Sequence, residues 1–166
     1  LLAVLAAVER QKPLRAARDS ALLLVMFSGA LRRQSAADLR VEDITAHEHG
    51  IDILLRKSKT DQTGKGLVVS IPFAFGDKCP VKAIAKWCEL AGIESGYLFR
   101  SVSHSEVIGS TRLDVGSICR IIKHAVALSG RDASAYSSHS ARAGFVSSAA
   151  VASMPLAEIA QVTKHR

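Results

Sequence analysis

Four separated stretches of this chain carry side chains suited to holding an anion. His139 and Arg142 stand three residues apart in Ser138-His139-Ser140-Ala141-Arg142, a spacing that puts both on one face of a helix. Ser138 is placed to cap that helix. The helix N-terminus would then add partial positive charge beside the imidazole and the guanidinium. Arg32 lies just beyond Gly29, where an apolar segment ends, and its planar fork of donors suits a phosphate. His165 follows Ile159, Val162 and Thr163 near the end of the chain. Lys59, in Arg56-Lys57-Ser58-Lys59-Thr60-Asp61, sits in a turn-rich stretch from which an ammonium can reach a site and protonate a leaving oxygen. Brought together by folding, these five residues would form a phosphate site.

Each also has a plainer reading. Arg32 and His165 suit helix ends for dipole reasons alone, Lys59 suits a basic turn, and a bare His-x-x-Arg is a weak motif. His47 and His49, in Ala46-His47-Glu48-His49-Gly50, could ligate a metal but fit a polar turn before a strand better. His104 and His124 fall in no pattern. Trp87, Tyr97 and Tyr136 do not alternate with basic residues, so no base-stacking platform is expected. Cys79, Cys88 and Cys119 lack metal-site spacing and are odd in number, which argues against zinc and against a disulfide framework.

The elements that must position these residues read as mainly helical with one small antiparallel sheet, an α+β fold. Leu1 to Arg10 reads as a short helix interrupted by Pro13. Asp19 to Phe27 reads as a buried helix ending at Gly29. Ser35 to Leu39 is a short helical stretch, and Asp43 starts a turn. Ile51, Ile53 and Leu55 alternate, and Leu67 to Ile71 is β-branched, so the two predict a hairpin around Lys59. Pro80 opens a helix closed by Gly92, and Asp114 caps another closed by Gly130. A helix from about His139 to Ala152 follows, and Pro155 opens the last.

The 166 residues suffice for one domain with a sizeable core. Hydrophobic residues make up 48% and charged residues 22%, an ordinary globular composition. The net charge of +7 suits a polyanionic partner, although a solvated basic surface with no partner accounts for it equally well. The longest apolar run, Ala21 to Phe27, is too short to span a bilayer, and Leu1 to Val8 lacks the features of a signal peptide. A reducing cytoplasm is the simplest setting. The missing initial Met and the abrupt end suggest a segment of a longer protein.

Ser28-Gly29-Ala30-Leu31-Arg32-Arg33, followed by Leu39-Arg40-Val41-Glu42-Asp43-Ile44, resembles the first box of the tyrosine recombinases, the phage integrase family. Lys59 in Ser58-Lys59-Thr60-Asp61-Gln62 resembles the family's hairpin lysine. Ser138 to Phe145 resembles its second box, and Ile159 to Arg166 the segment with its last histidine. Four boxes in the family's order span nearly the whole chain. The resemblance implies a DNA strand-exchange domain that uses a 3′-phosphotyrosyl intermediate and no metal or other cofactor. Arg32 and Arg142 would clamp the non-bridging oxygens of a scissile phosphate. His139 would assist proton transfer, Lys59 would protonate the leaving 5′-hydroxyl, and His165 would hydrogen-bond the phosphate.

Three departures stand out. The family's acidic residue three positions after the first arginine is Ser35 here, and the glycine before the last histidine is Lys164. The nucleophilic tyrosine would fall beyond Arg166, since Tyr97 and Tyr136 stand in the wrong places. The expectation is therefore a single partial catalytic domain over 1–166, lacking an N-terminal core-binding domain and a C-terminal tail. Alone it would be monomeric, bind duplex DNA weakly and be inactive. The full-length protein would act as a homotetramer on DNA, in integration, excision, dimer resolution or cassette movement, with a mobile element as the expected setting, cytoplasmic and nucleoid-associated when bound. Two alternatives remain: a non-catalytic DNA-binding remnant of an integrase or an accessory DNA-binding protein, and a helical protein whose basic surface only keeps it in solution.

Overall fold

The computed structural model describes residues 1–56, 66–74 and 76–163. Its centre is a helix, α2 (Pro13–Ser28), against which most of the other helices pack. From Ala17 to Met26 every residue of α2 is buried except the half-buried Ser20. The helix starts six residues earlier than its apolar run predicts. Pro13 does not interrupt a helix but opens this one at N1, where a missing N–H costs nothing. Two charges are buried within it. The Arg18 Nε donates to Asp19 Oδ1 at 2.8 Å, and Gln11 Nε2 donates to Asp19 Oδ2 at 3.0 Å, so neither ion lacks a partner in the interior.

The N-terminus of α2 is capped from far away in sequence. The N-cap residue, Lys12, makes no side-chain cap. Instead Glu106 Oε1 accepts from the N–H groups of Leu14 at 3.0 Å and Arg15 at 3.4 Å. Lys12 Nζ and Arg15 Nε donate to the carbonyls of His104 and Ser103. A carboxylate here also meets the positive end of the helix dipole.

Around α2 stand α1 (Leu2–Val8), α3 (Arg33–Asp38), α4 (Pro80–Ala91), α5 (Val115–Leu128), α6 (Ser140–Val151) and α7 (Leu156–Thr163). The capping signals of α4 and α5 hold: Pro80 is at the first position, Gly92 is left-handed at φ +59°, and the Asp114 carboxylate accepts from Ser117 N–H at 2.9 Å. The N-cap of α6 is His139, not Ser138 as predicted, and Ser137 Oγ accepts the His139 N–H at 3.2 Å. Ser138 is buried.

The predicted hairpin supplies two strands of a three-stranded antiparallel sheet of β1 (Ile44–His47), β2 (Gly50–Leu55) and β3 (Leu67–Pro72), with β2 at its centre. Ile51 pairs with Ile71, Ile53 with Val69 and Leu55 with Leu67. The alternation buries Ile51, Ile53, Leu55, Val69 and Ile71 on one face. His47 and His49 lie at the exposed β1–β2 turn. A second ribbon, β4 (Arg100–Val102) and β5 (Ile108–Arg112), carries the capping Glu106 on its connecting loop. No helix among the described residues is long and apolar enough to cross a membrane, and none of their His, Cys, Asp and Glu side chains cluster in a metal-holding group.

Candidate functional site

A small cleft opens where the end of α2, the start of α3, the β2–β3 hairpin, α6 and the end of α7 meet. Arg32 and Arg142 both line it, although 110 positions separate them in sequence. Ser35 forms part of the wall beside Arg32, and Leu55, Leu67 and Val69 supply the apolar side. The cleft holds two guanidinium groups and, among the described residues lining it, no carboxylate.

Local structure explains how each arginine gets there. Helix α2 ends in a turn closed by Ala30 N–H to Phe27 C=O at 3.1 Å and Leu31 N–H to Met26 C=O at 2.9 Å. The chain then extends, and Arg32 becomes the N-cap of α3 with φ −77° and ψ 150°. Arg142 enters on the first turn of α6. That helix approaches α2 closely because residue 144 is glycine: a Cβ there would stand 3.3 Å from Phe27 Cε2. Phe27 and Phe145 meet edge to face, with ring centroids 6.2 Å apart.

Arg142 is anchored by two backbone carbonyls. Its Nη1 donates to Ala30 O at 2.7 Å, and its Nη2 donates to Thr163 O. Burial holds its pKa below the ordinary arginine value, and the nearby positive charge of Arg32 adds to the shift. Two like charges held together in a half-buried cleft are a standing electrostatic cost that a bound anion would offset.

The remaining predicted residues are placed differently. His139 is exposed at the N-cap of α6, one turn before Arg142. Lys59 and His165 lie outside the described residues. The strand ends on either side of Lys59, Leu55 and Leu67, and the residues just before His165, Val162 and Thr163, do line the cleft. Tyr97 packs under Arg40, whose guanidinium carbon stands 4.7 Å from its ring centroid. Tyr136 is half-buried against the core and does not line the cleft.

Sequence reasoning missed one feature beside the cleft. Asp43 is buried, accepting from Arg40 N–H at 3.1 Å and from Arg56 Nε at 2.5 Å, which raises the Arg56 pKa. Ser35 and Leu55 continue from the arginine cleft into the neighbouring groove of about 270 Å³ that holds this pair and Arg40. The Asp-Ile step before β1 marked a turn, but only the tertiary pairing with Arg56 explains a buried carboxylate there.

Known proteins share this fold. The sequence matches the phage integrase family over residues 2–166. It is 34% identical over 166 residues to the integrase/recombinase xerD homolog of Selenomonas ruminantium, covering 99% of this chain and 49% of that protein. Among solved structures, XerA recombinase superposes with a TM-score of 0.71 at 21% identity, covering 99% of this chain and 53% of that one. The XerH site-specific recombinase bound to its difH substrate, in a pre-cleavage complex, gives a TM-score of 0.74 at 19% identity, covering 99% and 44%. The chain thus spans about half the length of the relatives it matches. Its mainly helical fold with small antiparallel sheets is that of the tyrosine recombinase catalytic domains, and the chain belongs to the phage integrase family.

Proposed function

We propose that this chain is the phosphate-activating part of a site-specific DNA recombinase. The observation that carries the reading is the meeting of Arg32 and Arg142 in one cleft lined by no described carboxylate, within a chain of the phage integrase family. In this reading the two guanidinium groups hold the non-bridging oxygens of a scissile phosphodiester. As the phosphorus becomes five-coordinate, negative charge grows on those oxygens, and fixed donors aimed at them lower the barrier.

A tyrosine hydroxyl supplied from beyond Arg166 attacks the phosphorus and loses its proton. The P–O bond to the 5′-oxygen breaks, and Lys59 gives that oxygen a proton. The 3′-phosphotyrosyl link conserves the bond energy, and a 5′-hydroxyl of a partner strand reverses the step. His139 assists proton transfer at the phosphate, and His165 hydrogen-bonds it. The step needs no metal or other cofactor. Duplex DNA is the substrate, and the full-length protein acts as a homotetramer on two sites.

The test is covalent trapping on a nicked suicide duplex. The full-length protein forms an adduct that survives denaturant, and Arg32→Ala and Arg142→Ala each form it about 10²–10³ more slowly. Residues 1–166 alone bind duplex DNA, more weakly at higher salt, and form no adduct. An adduct formed by 1–166 alone, or one that forms at the parent rate in both variants, overturns the reading. Ser35, at the family's acidic position and in the cleft wall, favours a second reading as a DNA-binding remnant. In that case the full-length protein binds the duplex but never becomes linked to it.

A further inference from the structure

Ala30 adopts a backbone conformation that alanine seldom takes, φ +46°, while only 1% exposed. The left-handed residue at such a helix end is usually glycine, yet Gly29, immediately before it, stays at φ −88°. A Cβ on Gly29 would crowd Leu31 Cδ2 at 3.1 Å, so close packing occupies the glycine and the left-handed turn falls to Ala30. The turn determines where the Ala30 carbonyl points. It accepts from Arg142 Nη1 at 2.7 Å, and two residues later the same chain delivers Arg32 to the cleft.

We propose that Ala30 is a positioning residue for the second arginine. Its left-handed backbone aims the carbonyl that fixes the plane of the Arg142 guanidinium beside Arg32, so one turn of chain sets both arginines. This rests on the phosphodiester reading of the cleft. Glycine adopts the same φ freely, whereas a β-branched residue is strongly excluded from it. Valine at position 30 therefore turns the peptide and withdraws the carbonyl from Arg142.

The experiment is a double-mutant cycle on the full-length protein, read as single-turnover cleavage of a nicked suicide duplex at saturating DNA. Ala30→Val lowers the cleavage rate by about tenfold or more with little change in duplex affinity, and Ala30→Gly restores it. In an Arg142→Ala background, Ala30→Val causes no further loss. An equal loss in both backgrounds overturns the proposal, as does an Ala30→Val protein that cleaves like its parent. If the valine variant does not fold, the parent protein decides by NMR. An Arg142 fork held by two carbonyls gives separate, slowly averaging Nη signals, and rapidly averaged signals overturn the proposal. Normal cleavage by Arg142→Ala alone would instead sink the phosphodiester reading, which keeps the two failures distinct.

Discussion

Replacing Arg142 with alanine should damage stability and catalysis for different reasons, and both sizes follow from its contacts. The guanidinium serves the carbonyls of Ala30 and Thr163, residues only 1% and 0% exposed. A buried acceptor left without a donor costs about 1–3 kcal/mol. Water entering the vacated space recovers part of this, so a total near the lower end, about 2 kcal/mol, is expected. For a domain of this size that lowers the melting temperature by about 4–8 °C. In catalysis the variant loses one preorganised donor to the developing charge, about 2.7–4 kcal/mol or about 10²–10³ in rate. Thermal unfolding of the full-length protein, followed by single-turnover cleavage well below the variant's melting temperature, separates the two effects. Arg142→Lys should recover little of either, because an ammonium cannot span two carbonyls in a planar fork. An unchanged melting temperature would refute the anchoring role, and cleavage within about tenfold of the parent would refute the electrostatic one.

Glu106→Ala removes the tertiary cap of α2 and should cost about 1 kcal/mol, read as a fall of about 2–4 °C in melting temperature. Ala30→Gly should raise stability by about 0.5–1 kcal/mol in denaturant unfolding, since relief of the left-handed strain outweighs glycine's extra freedom in the unfolded chain. The Ser134 backbone N–H donates to Asp132 and holds its pKa below the ordinary 3.8. That contribution is complete above the unfolded value and is lost as pH falls through the folded one. Asp132→Asn should therefore flatten the loss of stability below about pH 4. Cys88 moves the opposite way: burial raises its thiol pKa, so unfolding becomes easier as pH rises past the unfolded thiol's value, and Cys88→Ala should remove that alkaline dependence.

What the sequence revealed and what it concealed divide along the range of the interactions. The caps at Pro80, Gly92 and Asp114 are local, and the structure keeps all three. The β2–β3 pairing was legible because Ile51, Ile53 and Leu55 alternate against a β-branched partner. By contrast β1 has one half-buried and three exposed residues and becomes a strand only by pairing with β2. The β4–β5 ribbon is rich in Ser, Gly and Thr and carries no alternating pattern strong enough to read. Glu106 caps a helix more than ninety residues away in sequence, which no local rule anticipates. The left-handed turn at Ala30 was hidden by the glycine beside it. Arg32 and Arg142 were singled out by their boxes, and their shared cleft depends on the close approach of α6 to α2 at Gly144.

The claim at the centre is that Arg32 and Arg142 act on the charge of one phosphate, and a substrate with that charge removed addresses it most directly. A neutral methylphosphonate at the scissile position leaves little for the two guanidinium groups to neutralise. Single-turnover cleavage of this duplex by Arg32→Ala and Arg142→Ala should then come within about tenfold of the parent protein, where on the ordinary phosphodiester each variant falls about 10²–10³ behind. A gap of the same size on both substrates would show that the arginines act elsewhere than on the phosphate.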